Sequence, residues 1–562
     1  MDAQRHQASP DGRARTRDPR ASRLIRPGLV LILIVAAQLG LSWWWMNQNG
    51  FLARPAVSDG AYYRLEALDA LREIEDGGVP AFFTGMWTNR WRIHPPLFSR
   101  VAAVIALPVG EITPGVCWLT SALFGIVLSF GAYCLARSFV RPWYAVLAVA
   151  VTQSAPAVIE NWNPFFPQLA TCALAVWSWV FLLRSSLLRR HHLTFVAGLL
   201  AAVALLTKIV APLYLVGAVV AAVALRVRQD RRVVPALRDL VVLALPPALL
   251  ALPWYVGHRT AVMAQADYVS DEMQVLGHDT APLFSFERWS YYPRAMAEHG
   301  FGPALGLLVS VATVTVAVRA IMRSRSSADG CRRQAVVILA VAAIVAWIMT
   351  SCRSLANSSF YLLAFLPAGA ICVSALVSTL GGRTRRVVVG VVLAACGWNQ
   401  LMCLRLVPDD HAIGVIAGVE IGGRKHRWLG LPAVAAACSA RPSAEDWPNA
   451  EFVDLIASRT DRPLPEVLVA TRERLPHPWV YPATLIYEAR LRDVNLRVSG
   501  YRSSEHDLPA LLRGVDFVIL DETFLPRDQA LKLISSTGAR PELIAIREVT
   551  RVSTVSLIAV RH

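Results

Sequence analysis

The sequence predicts a polytopic α-helical membrane protein carrying a small α/β domain at its C-terminal side. Three observations carry that reading. Of 562 residues, 55% are hydrophobic and the mean hydropathy is +0.44, more apolar surface than a soluble fold of this size can hide. Apolar runs recur at close to the roughly 17–25 residues that cross a bilayer. Arginine clusters fall between alternate pairs of runs, as expected where cytoplasmic loops hold the positive charge.

The first run, Leu29 to Met46, follows a basic tail over residues 1–27 that contains Arg5, Arg13, Arg15, Arg17, Arg20, Arg23 and Arg26. A secretory signal would have a shorter apolar stretch and a small-residue cleavage site. Here the run closes on Trp43-Trp44-Trp45, an interfacial aromatic belt, so a retained helix is expected. Further runs lie at 115–137, 142–158, 165–183, 193–208, 211–225, 238–257, 302–319, 335–350, 359–379 and 387–404. Arg137/Arg141, Arg184/Arg189/Arg190, Arg226/Arg228/Arg231/Arg232, Arg319 to Arg333 and Arg383/Arg385/Arg386 separate them. Placing these clusters and the N-terminal tail inside the cell gives a threading of about eleven helices over residues 28–404. It requires that Leu97–Pro108, too short to cross, lie at the interface.

This threading leaves two large outer loops, 47–114 and 258–300, and puts residues 405–562 outside. In the first loop, "DGAYYRLEALDALREIED" (59–76) sets Leu65, Leu68, Leu71 and Ile74 on one face of an amphipathic surface helix. "RIHPPLF" (92–98) follows, with Pro95-Pro96 suited to the first turn of a short helix. From 405 onward the pattern changes to short strands, "EVLVAT", "NLRVSGY", "VDFVILDE" and "STVSLIAV", with helix-like pieces such as "PATLIYEARLRD" between them. That alternation predicts a parallel or mixed sheet.

Several functions are excluded or weakened. The net charge of +16 would suggest nucleic acid in a soluble chain, but here it records cytoplasmic arginines, and no nucleic-acid partner is expected. Nine cysteines form no CxxC pair and read as small core residues. No GxGxxG opens a helix after a strand and no Walker loop is present, so a nucleotide cofactor is unsupported.

The chemistry-bearing residues lie at the outer ends of runs. Lys208, one of three lysines in the chain, ends "AVALLTK". It is either a snorkelling side chain or a fixed cation for a lipid phosphate entering from the outer leaflet. Asp59 either caps the surface helix or serves as a general base toward an acceptor hydroxyl. Glu160, in "IENWNPFFP", is a second candidate acid or a solvated loop residue. Arg90, Arg92 and His94 either anchor at the interface or position phosphate or sugar. Tyr62, Tyr63, His258, Tyr291, Tyr292 and Arg353 complete the candidate cavity. The spacing in loop 258–300 is no metal motif, and a divalent ion elsewhere is left open.

An acid just after the first helix, HPPL in the same outer loop, an outer-end acid and "TK" closing a later helix form a familiar set. Together with "SSFYLLAFLPAGA" (358–370), they resemble the GT-C glycosyltransferases over residues 28–404, in the branch of protein O-mannosyltransferases and lipid A aminoarabinose transferases. The resemblance implies inverting transfer of a sugar from a polyprenyl-phosphate carrier to a lipid, glycan or protein acceptor at the outer face of the cell membrane. It implies Asp59 as the first-loop acid, His94-Pro95-Pro96 as the loop motif, and Lys208 beside the carrier phosphate. Two departures stand out: Gly60 follows Asp59 where family members commonly pair acids, and Phe166-Pro167-Gln168 occupies a turn where an acid is often seen. A polytopic transporter, or a catalytically silent binder of carrier lipid, are the competing readings. The absence of any repeat between the two halves argues against a transporter.

Overall fold

Backbone in an apolar environment must satisfy its own hydrogen bonds, and the apolar runs accordingly become helices. The computed structural model describes residues 19–48, 59–88, 94–162, 165–264, 282, 284–322, 330–352, 363–403, 418–421, 424–427, 448–460, 462–470, 482–500, 508–522, 525–550 and 553–561. Helix α1 is Pro19–Gln48, α2 Asp59–Thr88, α3 Leu97–Ala106, α4 Pro114–Ala136, α5 Pro142–Gln153 and α6 Pro156–Trp162. There follow α7 Gln168–Arg184, α8 His191–Leu205, α9 Ala211–Asp230, α10 Val233–Pro246 and α11 Leu252–Gly257. Next come α12 Phe286–Ala295, α13 Pro303–Met322, α14 Gly330–Cys352, α15 Leu366–Ser378 and α16 Gly382–Cys403. A π turn, Pro247–Ala251, joins α10 to α11. The Pro246-Pro247 pair there removes two backbone donors.

Five helical stretches are long and apolar enough to cross a membrane: Arg26–Gln48, Pro114–Ala136, Ala211–Asp230, Val233–Gly257 and Arg333–Cys352. Shorter apolar helices fill the other runs, among them Gln168–Arg184, His191–Leu205 and Leu363–Ser378. The arginine-bearing ends gather in pairs. Arg189 at the start of α8 binds Asp230 at the end of α9, and Arg319 in α13 donates to Thr379 just past α15 at 2.6 Å. Arg385 at the start of α16 donates to the Tyr144 hydroxyl at the start of α5 at 2.8 Å. Lys208 lies just beyond the other end of α8, about 22 Å away at 1.5 Å per residue.

The surface helix is longer than the amphipathic pattern suggests. Gly77-Gly78 reads as a stop, and Gly78 does leave helical geometry (φ 66°, ψ −164°), a region essentially reserved for glycine. The chain then re-enters the helix at Pro80, a residue at home in a first turn, and continues to Thr88. Leu68 and Leu71 are buried, but so are Tyr63, Ala67 and Ala70, because α2 is covered on more than one side. It packs on α3 and on a helix of the C-terminal region.

That C-terminal region, counted from residue 418, contains β1 Gly418–Ile421, β2 Arg424–Arg427, α17 Asn449–Arg459, β3 Glu466–Ala470, α18 Pro482–Leu491, β4 Arg497–Gly500 and α19 Leu508–Leu512. It ends with β5 Phe517–Asp521, α20 Arg527–Ser536, β6 Arg540–Thr550 and β7 Ser553–Arg561. The main sheet has the order β4-β3-β5-β7-β6; β3 runs parallel to β4 and β5, and β7 antiparallel to β5 and β6. Alternate residues of β3 face opposite sides: Val467 and Val469 pack with Phe452 and Leu485, and Leu468 and Ala470 with Ala530 and Ile534. The sequence pattern missed the β1-β2 hairpin and, in the main sheet, strand β6. Its charged residues, Glu542, Arg547 and Glu548, mask the alternation of an edge strand.

Candidate active site

The HPP corner is built by three elements. Pro96 precedes α3, and the Leu97 amide donates to the Leu206 carbonyl at 2.9 Å. Leu206 belongs to the tight turn after α8, in which the Lys208 amide bonds back to Ala204 O at 3.2 Å and Lys208 O receives the Ala211 amide at 3.1 Å. Pro212, in the first turn of α9, has no amide to place there. One backbone bond therefore joins the HPPL segment to the Thr207-Lys208 turn, and Lys208 is half-buried beside it.

Above this corner lies α2. His94 and Glu66 are each 8% exposed, and their side chains meet with Nδ1 3.3 Å from Oε1. Ser99 Oγ donates to the other Glu66 oxygen at 3.1 Å. Tyr63 packs its ring 4.5 Å from the imidazole and stands edge-on to Phe98 at 5.8 Å. Phe98 in turn lies 4.7 Å from Phe165, just beyond α6. Asp59 starts α2, and positions 59, 62/63 and 66 share one helical face. Buried Arg100 ties the fold-back after Gly78 to α3, binding Glu73 and the Phe82 carbonyl and lying 4.5 Å over the Phe82 ring. Gly85 permits this approach, since a Cβ there would collide with the Glu73 carboxylate.

The structure treats the expected site residues unequally. His94 and the Lys208 turn are brought together by the Leu97–Leu206 bond. His258 is close to them through Trp254, on which it stacks at 4.6 Å and to whose carbonyl its Nδ1 lies at 2.9 Å. Trp254 clusters with Met86 and Leu206, while the Tyr255 hydroxyl donates to Leu205 O at 3.0 Å. Tyr62 is half-buried, 6.2 Å from the His94 ring. Tyr291 and Tyr292 stand edge-to-face at 5.2 Å in the helical core on α12, which is fixed to α14 by Arg288 and Trp347. Asp59 and Glu160 are placed only as backbone, in α2 and α6, while Arg90, Arg92 and Arg353 lie outside the described residues. Among the described residues, no group of three or more His, Cys, Asp or Glu is placed to hold a metal ion.

Glu66 was missed at the sequence level, although its spacing of seven from Asp59 on an amphipathic helix was the available signal. Glu66 also lines a cleft of about 1080 Å³ between α2 and the turn after α18, together with Tyr62, Asp69, Glu73, Asp76, Asp493 and Asn495. Ionic and polar contacts close the two walls on each other. Asp69 binds Arg490, and Arg72 donates to the Arg490 carbonyl at 2.5 Å and reaches Asp493 at 3.5 Å. The Tyr487 hydroxyl and Arg64 Nε both donate to Ile112 O, at 3.1 and 2.8 Å, with the guanidinium 4.1 Å over the tyrosine ring. Burial raises the Tyr487 pKa above its ordinary value and lowers that of Arg490.

No family model matches this chain, and no curated protein matches it in sequence. Solved structures do. ArnT from Cupriavidus metallidurans bound to undecaprenyl phosphate superposes with a TM-score of 0.50 at 14% identity, covering 94% of this chain and 97% of its own. The apo oligosaccharyltransferase of Archaeoglobus fulgidus gives 0.53 at 12% identity, over 88% of this chain and 69% of its own. The same archaeal enzyme tethered with an acceptor peptide containing the NVT sequon gives 0.50 at 11% identity, over 87% and 69%. The fold is that of the GT-C glycosyltransferases. That agrees with the fold expected from HPPL, "TK" and the first-loop acid.

Proposed function

We propose that the protein is a membrane glycosyltransferase that moves a sugar from a polyprenyl-phosphate carrier to an acceptor hydroxyl at the extracytoplasmic face. The observation that carries this reading is the Leu97–Leu206 bond, which sets the HPP corner and the Lys208 turn side by side beneath α2 in a GT-C fold. About eleven helices then cross the membrane with the arginine-bearing ends cytoplasmic, and the C-terminal domain from about 405 stands outside. The printed ligands of the neighbours, undecaprenyl phosphate and an acceptor peptide, fit a lipid-linked donor and a separate acceptor.

A sugar phosphodiester already carries a good leaving group, so the chain needs to supply positioning and charge. The acceptor oxygen attacks the anomeric carbon, and the bond from that carbon to the phosphate oxygen breaks with its electron pair staying on phosphate. Asp59 takes the hydroxyl proton from the face opposite the leaving group, which inverts the centre. Negative charge grows on the departing phosphate, and the Lys208 ammonium stabilises it more in the transition state than in the ground state. The cleft between α2 and the C-terminal domain leads to Tyr62 and Glu66 and supplies the acceptor's approach.

The test is Asp59→Asn, which keeps shape and removes the base. Transfer to acceptor falls to background while membrane insertion and carrier binding persist. Transfer at wild-type rate in that variant removes Asp59 from the mechanism.

A further inference from the structure

The corner contains one carboxylate that the proposed chemistry does not use. Glu66 is buried, and both of its oxygens are engaged, one by His94 and the other by Ser99. Burying a carboxylate beside an imidazole costs desolvation of both groups, and isolated pairs of this kind contribute little net stability. The arrangement does fix a direction. An ionised carboxylate can only accept, so the imidazole nitrogen facing Glu66 must be the one that carries hydrogen. The ring is further held by Tyr63 packed 4.5 Å away. Nε2 is then the nitrogen left for a ligand, on the ring edge turned away from Glu66. It presents a donor to an anion when the ring is an imidazolium.

What lies in reach is decided by the backbone. His94 stands three residues before Leu97 and Lys208 two residues after Leu206, the two residues joined by the 2.9 Å bond. A phosphate bound at the Lys208 turn is therefore adjacent to the His94 corner, and Glu66 lies about 10 Å along α2 from Asp59, at 1.5 Å per residue. Building on the function proposed above, we infer that Glu66 is a positioning residue that holds His94 with Nε2 toward the carrier phosphate. Carboxylate, imidazolium and phosphate then form one hydrogen-bonded row beside Lys208. Charge-assisted bonds of this kind are roughly twice as strong as neutral ones.

The experiment measures binding of polyprenyl phosphate, without sugar, to the full-length protein in nanodiscs, for wild type, Glu66→Gln, His94→Gln and the double variant. Gln at 66 keeps the shape and an accepting oxygen but loses the charge. Each single variant weakens binding about ten- to hundredfold. The double variant is no weaker than the worse single one, since both act through one bond to phosphate. Ser99→Ala, which removes the second anchor and no charge, gives a smaller loss in the same direction. Wild-type affinity in Glu66→Gln, or losses that multiply in the double variant, overturns the positioning role while leaving the transferase reading intact. If the wild-type protein itself shows no saturable binding, the carrier reading fails and this inference with it.

Discussion

The two ends of α8 each hold a histidine against a carboxylate, and they differ in what surrounds the pair. At the start of the helix, His191 Nε2 lies 3.0 Å from Asp239 Oδ1, while Arg226 reaches Asp239 Oδ2 at 3.1 Å and also binds Asp230, which takes Arg189. Asp239 is 1% exposed, and its two oxygens are taken by His191, Arg226 and Arg238. At the other end, Glu66 and His94 meet beside a half-buried lysine turn, and Glu66 borders a cleft. The first set is saturated and braces α8, α9 and α10 where they converge. The second has fewer ion partners around its carboxylate and borders a cleft through Glu66 itself. A buried ion pair says little by itself; what distinguishes the two is that Glu66 lies at the edge of a cleft and Asp239 does not line it.

That contrast can be broken at either end. Asp239→Asn leaves Arg226 with Asp230 as its one carboxylate partner, and thermal unfolding in detergent should show a loss of about 1–3 kcal/mol. Turnover per folded molecule should stay normal; a specific loss of turnover would make the saturated end part of the site. Lys208→Ala should do the reverse, lowering transfer by about 10²–10³ with little change in melting, and Lys208→Arg should retain part of the rate.

Of the second end, the HPP corner and the lysine turn were legible beforehand; neither histidine–carboxylate pair was. HPPL, the "TK" helix end and Asp59 each stood at a boundary between apolar and polar sequence, where a charge needs a reason. Four of the five strands in the main sheet followed from period-two runs bounded by turn residues. Two things were hidden. Glu66 sits among Arg64, Asp69 and Arg72 in a segment that reads as an ordinary amphipathic helix, and only its burial and its contacts with His94 and Ser99 set it apart. The second half of α2 was concealed by Gly77-Gly78, because a glycine pair reads the same whether a helix ends or merely kinks.

Smaller changes sharpen the picture around that kink and the cleft. Gly78→Ala places a Cβ where φ is 66° and should cost about 1–3 kcal/mol, visible as a lower melting temperature and a loosened fold-back around Arg100. An unchanged melt would mean that the kink is not needed to seat Arg100. Tyr487→Phe removes one hydrogen bond to Ile112 and should cost about 1 kcal/mol. Burial raises the Tyr487 pKa above the ordinary tyrosine value. The stabilisation from the neutral hydroxyl is therefore complete below the unfolded value and lost as pH rises through the folded one. The gap in stability between wild type and Tyr487→Phe should narrow only on that alkaline side; a gap that closes at acid pH would contradict the assignment.

The most direct measurement supplies radiolabelled polyprenyl-phosphate sugar to the purified protein in proteoliposomes, with cell-envelope acceptors present. The donor should be consumed, with label appearing on acceptor in inverted linkage and polyprenyl phosphate released in equal amount. Label carried across the bilayer on intact donor would instead identify a transporter. Label held on the protein without turnover would identify a silent carrier-binding relative, and either result would contradict a catalytic chamber formed by α2, the HPP corner and the Lys208 turn.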